Sequence, residues 1–226
     1  DPQSPGGFFI IKGFEWTVDN LENITNNTFH VYKNMYGNEI ARGTFLSKPG
    51  DAFENSYQVI LRYLNNGAIT IEITTNKFDK FEIPYYLIFR ALGMTRDKDI
   101  VDNIVYGIEN DDPVTKSMLE ILERAFETDD ARFGFIRKNT NPVEIIAFIA
   151  QRITDSANTQ IARKDDNIAK YLNNNILNII DRYIFPHIGT TIEHRIKKLR
   201  FFGHLINKLL CVFLGVLDPT DRDSYK

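Results

Sequence analysis

Paired carboxylates are the residues of this chain whose type and spacing most readily suggest chemistry. Asp111-Asp112, Asp129-Asp130 and Asp165-Asp166 each place two acids side by side. Converging carboxylates can divide general-acid and general-base work, but adjacent acids at loops and helix starts ordinarily serve as caps and partners of the helix dipole. Asp221-Arg222-Asp223 has the spacing of a magnesium ligand pair, against which stands a polar linker with local ion pairing. His30, His187, His194 and His204 have neither mutual metal spacing nor neighbouring cysteines, so no zinc site is expected. The chain lacks a Walker A loop, a GxGxxG turn and a GxSxG elbow, and Gly6-Gly7 precedes a strand pattern rather than a helix. These residues give the chain no visible active site of its own.

Charge is the second chemical signal. Asp97 to Asp130 holds 11 acidic and 3 basic side chains, whereas Thr190 to Lys208 sets Glu193 against Arg195, Lys197, Lys198, Arg200 and Lys208. A net charge of −3 excludes a strongly basic nucleic-acid binder, yet a local basic run can still turn one face toward a polyanion. The competing reading is a solvated helix face. Cys211 is the only cysteine and cannot form an internal disulfide, which fits a reducing, intracellular setting. The two glycosylation patterns, Asn23-Ile24-Thr25 and Asn26-Asn27-Thr28, are then chance matches in a chain with 21 asparagines. Phe201 to Leu217 is the most apolar stretch, but His204, Asn207 and Lys208 interrupt it, so no membrane span or membrane partner is expected.

Elements that would carry these residues follow from periodicity. Residues 1–82 read as strands: Phe8 to Lys12, Phe29 to Tyr32, Glu39 to Leu46, a strand through Tyr57, Val59, Leu61 and Tyr63, and another in which Ile69, Ile71 and Ile73 alternate with Thr70, Glu72 and Thr74. Asn65-Asn66-Gly67 between the last two is a hairpin signal. In Ile83 to Met94, Pro84 suits the first position of a short helix and Gly93 the left-handed position after it. Arg90, the lone charge inside, is expected to be tethered to a carboxylate or carbonyls of its own domain. Asp112-Pro113 and Asn141-Pro142-Val143-Glu144 open further helices, with Val114, Met118, Leu122 and Phe126 on the core face of the first. A stripe of Ile168, Leu172, Ile176, Ile179, Ile180 and Tyr183 runs to Pro186. Thr190 and Glu193 then open a long helix expected to bury Ile192, Ile196, Leu199, Ile206, Leu210 and Phe213. The expected class is α+β, an N-terminal antiparallel sheet followed by a body of roughly six helices.

Several segments, in order, resemble one family. Gly6-Gly7-Phe8-Phe9-Ile10-Ile11-Lys12-Gly13-Phe14-Glu15 is similar to the GGYFIINGSE segment of the second-largest subunit of multisubunit DNA-directed RNA polymerases. Ile83 to Gly93 is similar to its IPIVIIFRALG, with Pro84, Arg90 and Gly93 in place. Phe185-Pro186-His187-Ile188, the run from Phe202 to Leu210, and Asp221-Arg222-Asp223 resemble its LPHI, LGYMINRLL and DRD. The likeness is nearer to the Rpb2-like eukaryotic, archaeal and viral versions than to the bacterial β subunit.

The resemblance implies that residues 25–220 are the lobe domain, residues 1–24 the end of a first protrusion segment, and residues 221–226 the start of the return to it. The chain, opening on Asp1-Pro2 and ending in a polar run, is expected to be a piece of something longer. Phe8 to Val18 is expected to be a poorly covered edge. The family's enzyme is a nucleotidyltransferase whose Mg2+ is held elsewhere, so the resemblance implies no cofactor in this piece, no bond chemistry and an inactive isolated fragment. It implies a wall of the DNA cleft and a docking surface, with other polymerase subunits, DNA and initiation factors as partners. Lys197 and Lys198 match basic positions of the family's helix and Lys208 its arginine; with Arg195 and Arg200 they are the candidates for DNA-backbone contact. Packing and capping inside the lobe is the alternative for each. Where the family carries a lysine, a glutamine and an arginine near template and hybrid, this chain has Trp16, Leu21 and Asn23, so that contact is not expected. These departures, with the asparagine and isoleucine bias, point to a large DNA virus; a host cytoplasm or virion would then be the location, and a nucleus if the source is a cellular eukaryote. Two other readings compete: a self-sufficient α+β hydrolase using the acidic pairs, and an unrelated helical interaction module.

Overall fold

A computed structural model describes residues 7–17, 25–33, 37–50, 55–74, 81–106, 112–137, 141–156 and 176–220. Five strands form an antiparallel sheet in simple sequential order: β3 (Phe29–Lys33), β4 (Glu39–Ser47), β5 (Tyr57–Leu64), β6 (Ile69–Ile73) and β7 (Phe81–Pro84). Each strand pairs with its neighbour in sequence, which antiparallel pairing permits without crossover helices. Gly67, at φ 91, closes the β5–β6 turn, where the Gly67 N–H donates to the Leu64 carbonyl at 2.9 Å. β7 is a strand that residue pattern did not single out.

Thr70 and Glu72, which alternate with the isoleucines of β6, are buried as well. Their face is sealed by charge. Arg62 on β5 meets Glu39 at 2.9 Å, Glu72 at 2.5 Å and Glu82 at 3.4 Å, while the Thr70 hydroxyl donates to Glu82 at 2.5 Å. Register puts Arg42 opposite Arg62 and Glu72 opposite Glu82. Such like-charged cross-strand pairs are unfavourable alone, and here the arginine row answers the glutamate row.

Helices cover the other face. They are α1 (Tyr85–Ala91), α2 (Asp97–Ile104), α3 (Pro113–Arg137), α4 (Pro142–Ser156), α5 (described over 176–183) and α6 (Arg195–Leu214). Pro84 ends β7 and stands immediately before α1 rather than inside it. All seven residues of α1 are buried, so it is a central rod rather than an amphipathic surface helix. It stops as expected: Gly93 has φ 108, its N–H donates to the Arg90 carbonyl, and the Met94 N–H reaches back to Phe89 at 2.9 Å. An aromatic cluster joins sheet to helices: Phe45 of β4 meets Phe185 edge-on at 5.7 Å and Phe201 at 5.3 Å, and Phe89 stacks on Phe202 at 4.9 Å. After α6 the chain returns to the sheet edge, where the Thr220 N–H donates to the Val31 carbonyl at 2.7 Å and Thr220 Oγ1 accepts from the Val31 N–H at 2.9 Å.

A second, separate sheet consists of β1 (Phe8–Ile11) and β2 (Phe14–Thr17). Lys12 and Gly13, both at positive φ, make its two-residue turn. The strand expected over Phe8 to Lys12 is β1, and β2 is a further strand that the residue pattern does not single out. Phe8, Phe9, Ile10, Ile11, Phe14 and Trp16 are all exposed.

Candidate nucleic-acid interface

The basic run lies on α6 and the 3-10 turn Ile192–His194 that precedes it, and the helix sorts its cations by direction. Lys198 falls on the stripe of Phe202, Leu205 and Leu209, at spacings of four, three and four, all buried. It is 1% exposed, and its ammonium donates to the Asp181 carbonyl of α5. Burial pushes its pKa down to about 8; the nearby Asp181 carboxylate opposes that shift and the Arg195 guanidinium adds to it. Lys198, expected among the DNA-contacting residues, is therefore a buried brace that no phosphate can reach. Arg195 is only partly buried, but it is paired within the domain. Its Nε donates to both Asp181 oxygens at 3.0 and 3.1 Å and its Nη2 to Oδ2 at 2.6 Å, a fork that pairs its charge with the buried Asp181 carboxylate. Asp181, which sequence reasoning missed, thus anchors two cations through one side chain and one carbonyl.

Lys197 and Arg200 lie on the opposite arc with His204, and both are exposed. Among the described residues neither forms an ion pair. Lys208 is half-buried against β3, where its charge adds to burial in holding the His30 pKa below the ordinary histidine value. Ile192 and Ile196, expected in the core, are 70% and 64% exposed. Ile192 lies in the 3-10 turn over residues 192–194 and Ile196 in the first turn of α6, so the apolar spacing runs back beyond the part of the helix that is covered.

Each histidine has its own setting. His187 accepts or donates at 2.8 Å to the buried Ser47 hydroxyl and lies between the Phe45 and Phe201 rings, each 5.1 Å away; burial, then the Lys198 charge, lowers its pKa. His194 bonds Thr191 at 2.7 Å, and His204 bonds Tyr106. Of the acidic pairs, Asp165-Asp166 and Asp111 lie outside the described residues, as does Asp221-Arg222-Asp223; Asp129 and Asp130 are described only as helical backbone. Among the described residues no group of three histidine, cysteine or acidic side chains could hold a metal ion, and no helix is long and apolar enough to cross a membrane.

The family model for RNA polymerase Rpb2, domain 2, matches residues 26–226. The chain belongs to that family. Relatives agree along its whole length: it is 29% identical over 225 residues to the DNA-directed RNA polymerase subunit Rpo2 of Sulfolobus acidocaldarius, covering 100% of this chain and 17% of that protein. It is 26% identical over 228 residues to the DNA-directed RNA polymerase II subunit RPB2 of Encephalitozoon cuniculi, with 99% and 18% covered. The Rpo2N subunit of Methanothermobacter thermautotrophicus is 26% identical over 250 residues, with 100% of this chain and 42% of that protein covered. The chain therefore spans less than half the length of these curated relatives. Within this Rpb2 domain Arg90 is 1% exposed, donates to Asp97 at 2.5 Å and lies 5.1 Å over the Tyr86 ring. It ties α1 to the start of α2, and no ligand is needed to account for it.

Proposed function

We propose that this Rpb2 domain is the lobe of the second-largest subunit of a DNA-directed RNA polymerase, a non-catalytic wall of the DNA cleft and a docking surface in transcription. The observation that carries the reading is the pair Lys197 and Arg200, exposed on the outer arc of α6 and without a carboxylate partner among the described residues. In an acidic chain, two such cations exposed on one helix face suit phosphates met without reading bases. Lys208 is a weaker contributor, since it is partly buried and its charge acts on His30 of β3.

On this reading residues 25–220 form the lobe, flanked by protrusion segments 1–24 and 221–226. The parent enzyme transfers nucleotides with Mg2+ held outside this domain, and the isolated chain is inactive. Other polymerase subunits, DNA and initiation factors are its partners inside the cell. The hydrogen bonds between Val31 and Thr220 support an inserted domain, because they bring the two ends of its chain to one sheet edge.

The test is a titration of the chain with a duplex oligonucleotide across salt concentrations. Binding should be weak and fall steeply with salt, and Lys197→Ala and Arg200→Ala should each reduce the log–log slope by about one. Salt-independent binding, or a slope unchanged in both variants, overturns the DNA contact.

A further inference from the structure

Beside α5 lies a cleft of about 560 Å³ lined by Pro49, Asn55, Tyr57, Asn178, Arg182, Pro186 and Thr190. Its volume is within the range of pockets that take small ligands and short stretches of peptide. Three elements fix its walls. Asn178 and Arg182 are four residues apart on α5 and share a face. Tyr57, at the start of β5, is held edge-on against Tyr183 at 4.9 Å. Pro186 is set by Phe185, a buried residue at φ 51 that turns the chain sharply after α5.

Arg182 is the only charged residue of the lining, and among the described residues it forms no ion pair. The adjacent carboxylate, Asp181, points away to Arg195. The cleft therefore offers one guanidinium fork, two carboxamides able to donate and accept, a hydroxyl, and an apolar rim of two prolines and a tyrosine.

We propose that this cleft binds an acidic peptide segment of a partner protein, with Arg182 on a carboxylate, Asn55 and Asn178 on peptide groups, and an apolar side chain against Pro49, Tyr57 and Pro186. A guanidinium matches a carboxylate in a bidentate fork, and amide side chains match a peptide backbone in both polarities. A nucleic-acid strand fits less well. It requires a row of cations, and at this end of the molecule Arg195 and Lys198 are already committed to Asp181. The proposal is independent of the DNA reading, since Lys197 and Arg200 do not line the cleft.

The test is an NMR titration of the chain with the capped peptide acetyl-Leu-Glu-Asp-Leu-amide, its Gln-Asn counterpart, and a single-stranded dodecanucleotide. The acidic peptide should give saturable shifts at the side-chain amides of Asn55 and Asn178. Its dissociation constant should rise about tenfold or more in Arg182→Ala and for the Gln-Asn peptide. Asn178→Ala should weaken binding without loss of fold, and Arg182→Lys should keep part of the affinity, because a lysine keeps the charge and loses the fork. Absence of saturable shifts, equal affinity in Arg182→Ala, or displacement of the peptide by the oligonucleotide at lower concentration overturns the proposal.

Discussion

Lys198 carries an ammonium group into the interior, and that position makes stability depend on pH. Its folded pKa of about 8 lies below the ordinary lysine value of 10.5. The unfolded chain therefore holds the proton more tightly, and stability rises as pH climbs from about 8 toward 10.5. Below pH 8 the group is charged in both states and the full cost of burying it is present. Relative to Lys198→Met, the native chain should gain about 2 kcal/mol between pH 7 and pH 9.5, read from urea unfolding at each pH. A constant difference would mean that the ammonium is solvated. Charge counting gave Arg195, Lys197, Lys198, Arg200 and Lys208 equal standing, but a helix of 3.6 residues per turn does not. Lys198 shares its stripe with Phe202, Leu205 and Leu209, a signal present in the residues themselves; the carbonyl of Asp181 that receives it is not.

Elements with strong end signals were the legible ones. The prolines at 113 and 142 and the glycine at 93 mark starts and a stop that the fold keeps, because those residues restrict or permit backbone angles whatever surrounds them. β2 and β7 escaped notice, being four residues each and lacking an alternating pattern long enough to count. The buried outer face of β6 also escaped, since its seal consists of glutamates and arginines that pattern reading assigns to solvent. Gly203 shows a constraint of the same kind, set by a neighbour distant in sequence. A methyl group there would lie 2.1 Å from Asn103 Oδ1 and 2.6 Å from the Asn103 carbonyl oxygen, so α2 and α6 cross where only glycine fits. Gly203→Ala should lower stability by roughly 1 to 3 kcal/mol despite the better helix propensity of alanine, as measured by chemical denaturation. A stabilised variant would show that α2 can shift without cost.

At the scale of the whole molecule two bodies of different character coexist. The sheet with its helices buries an aromatic core, while the β1–β2 hairpin leaves Phe9, Ile10, Phe14 and Trp16 more than half exposed. A two-stranded ribbon alone is marginal in water, and one with this surface invites association through its face or edges. The chain should therefore self-associate as its concentration rises. Phe14→Lys with Trp16→Lys should restore a monomer in sedimentation velocity without changing the unfolding of the sheet-and-helix body. An unaltered sedimentation profile would place the sticky surface elsewhere, with exposed Ile192 and Ile196 next in line.

The hairpin also holds the only tryptophan of the chain. Because Trp16 is already solvated in the folded state, its emission will barely move when the core melts, and a fluorescence unfolding curve would understate the stability of the domain. The same indole becomes a built-in reporter of a different event: a blue shift marks the moment at which another polypeptide surface covers the ribbon.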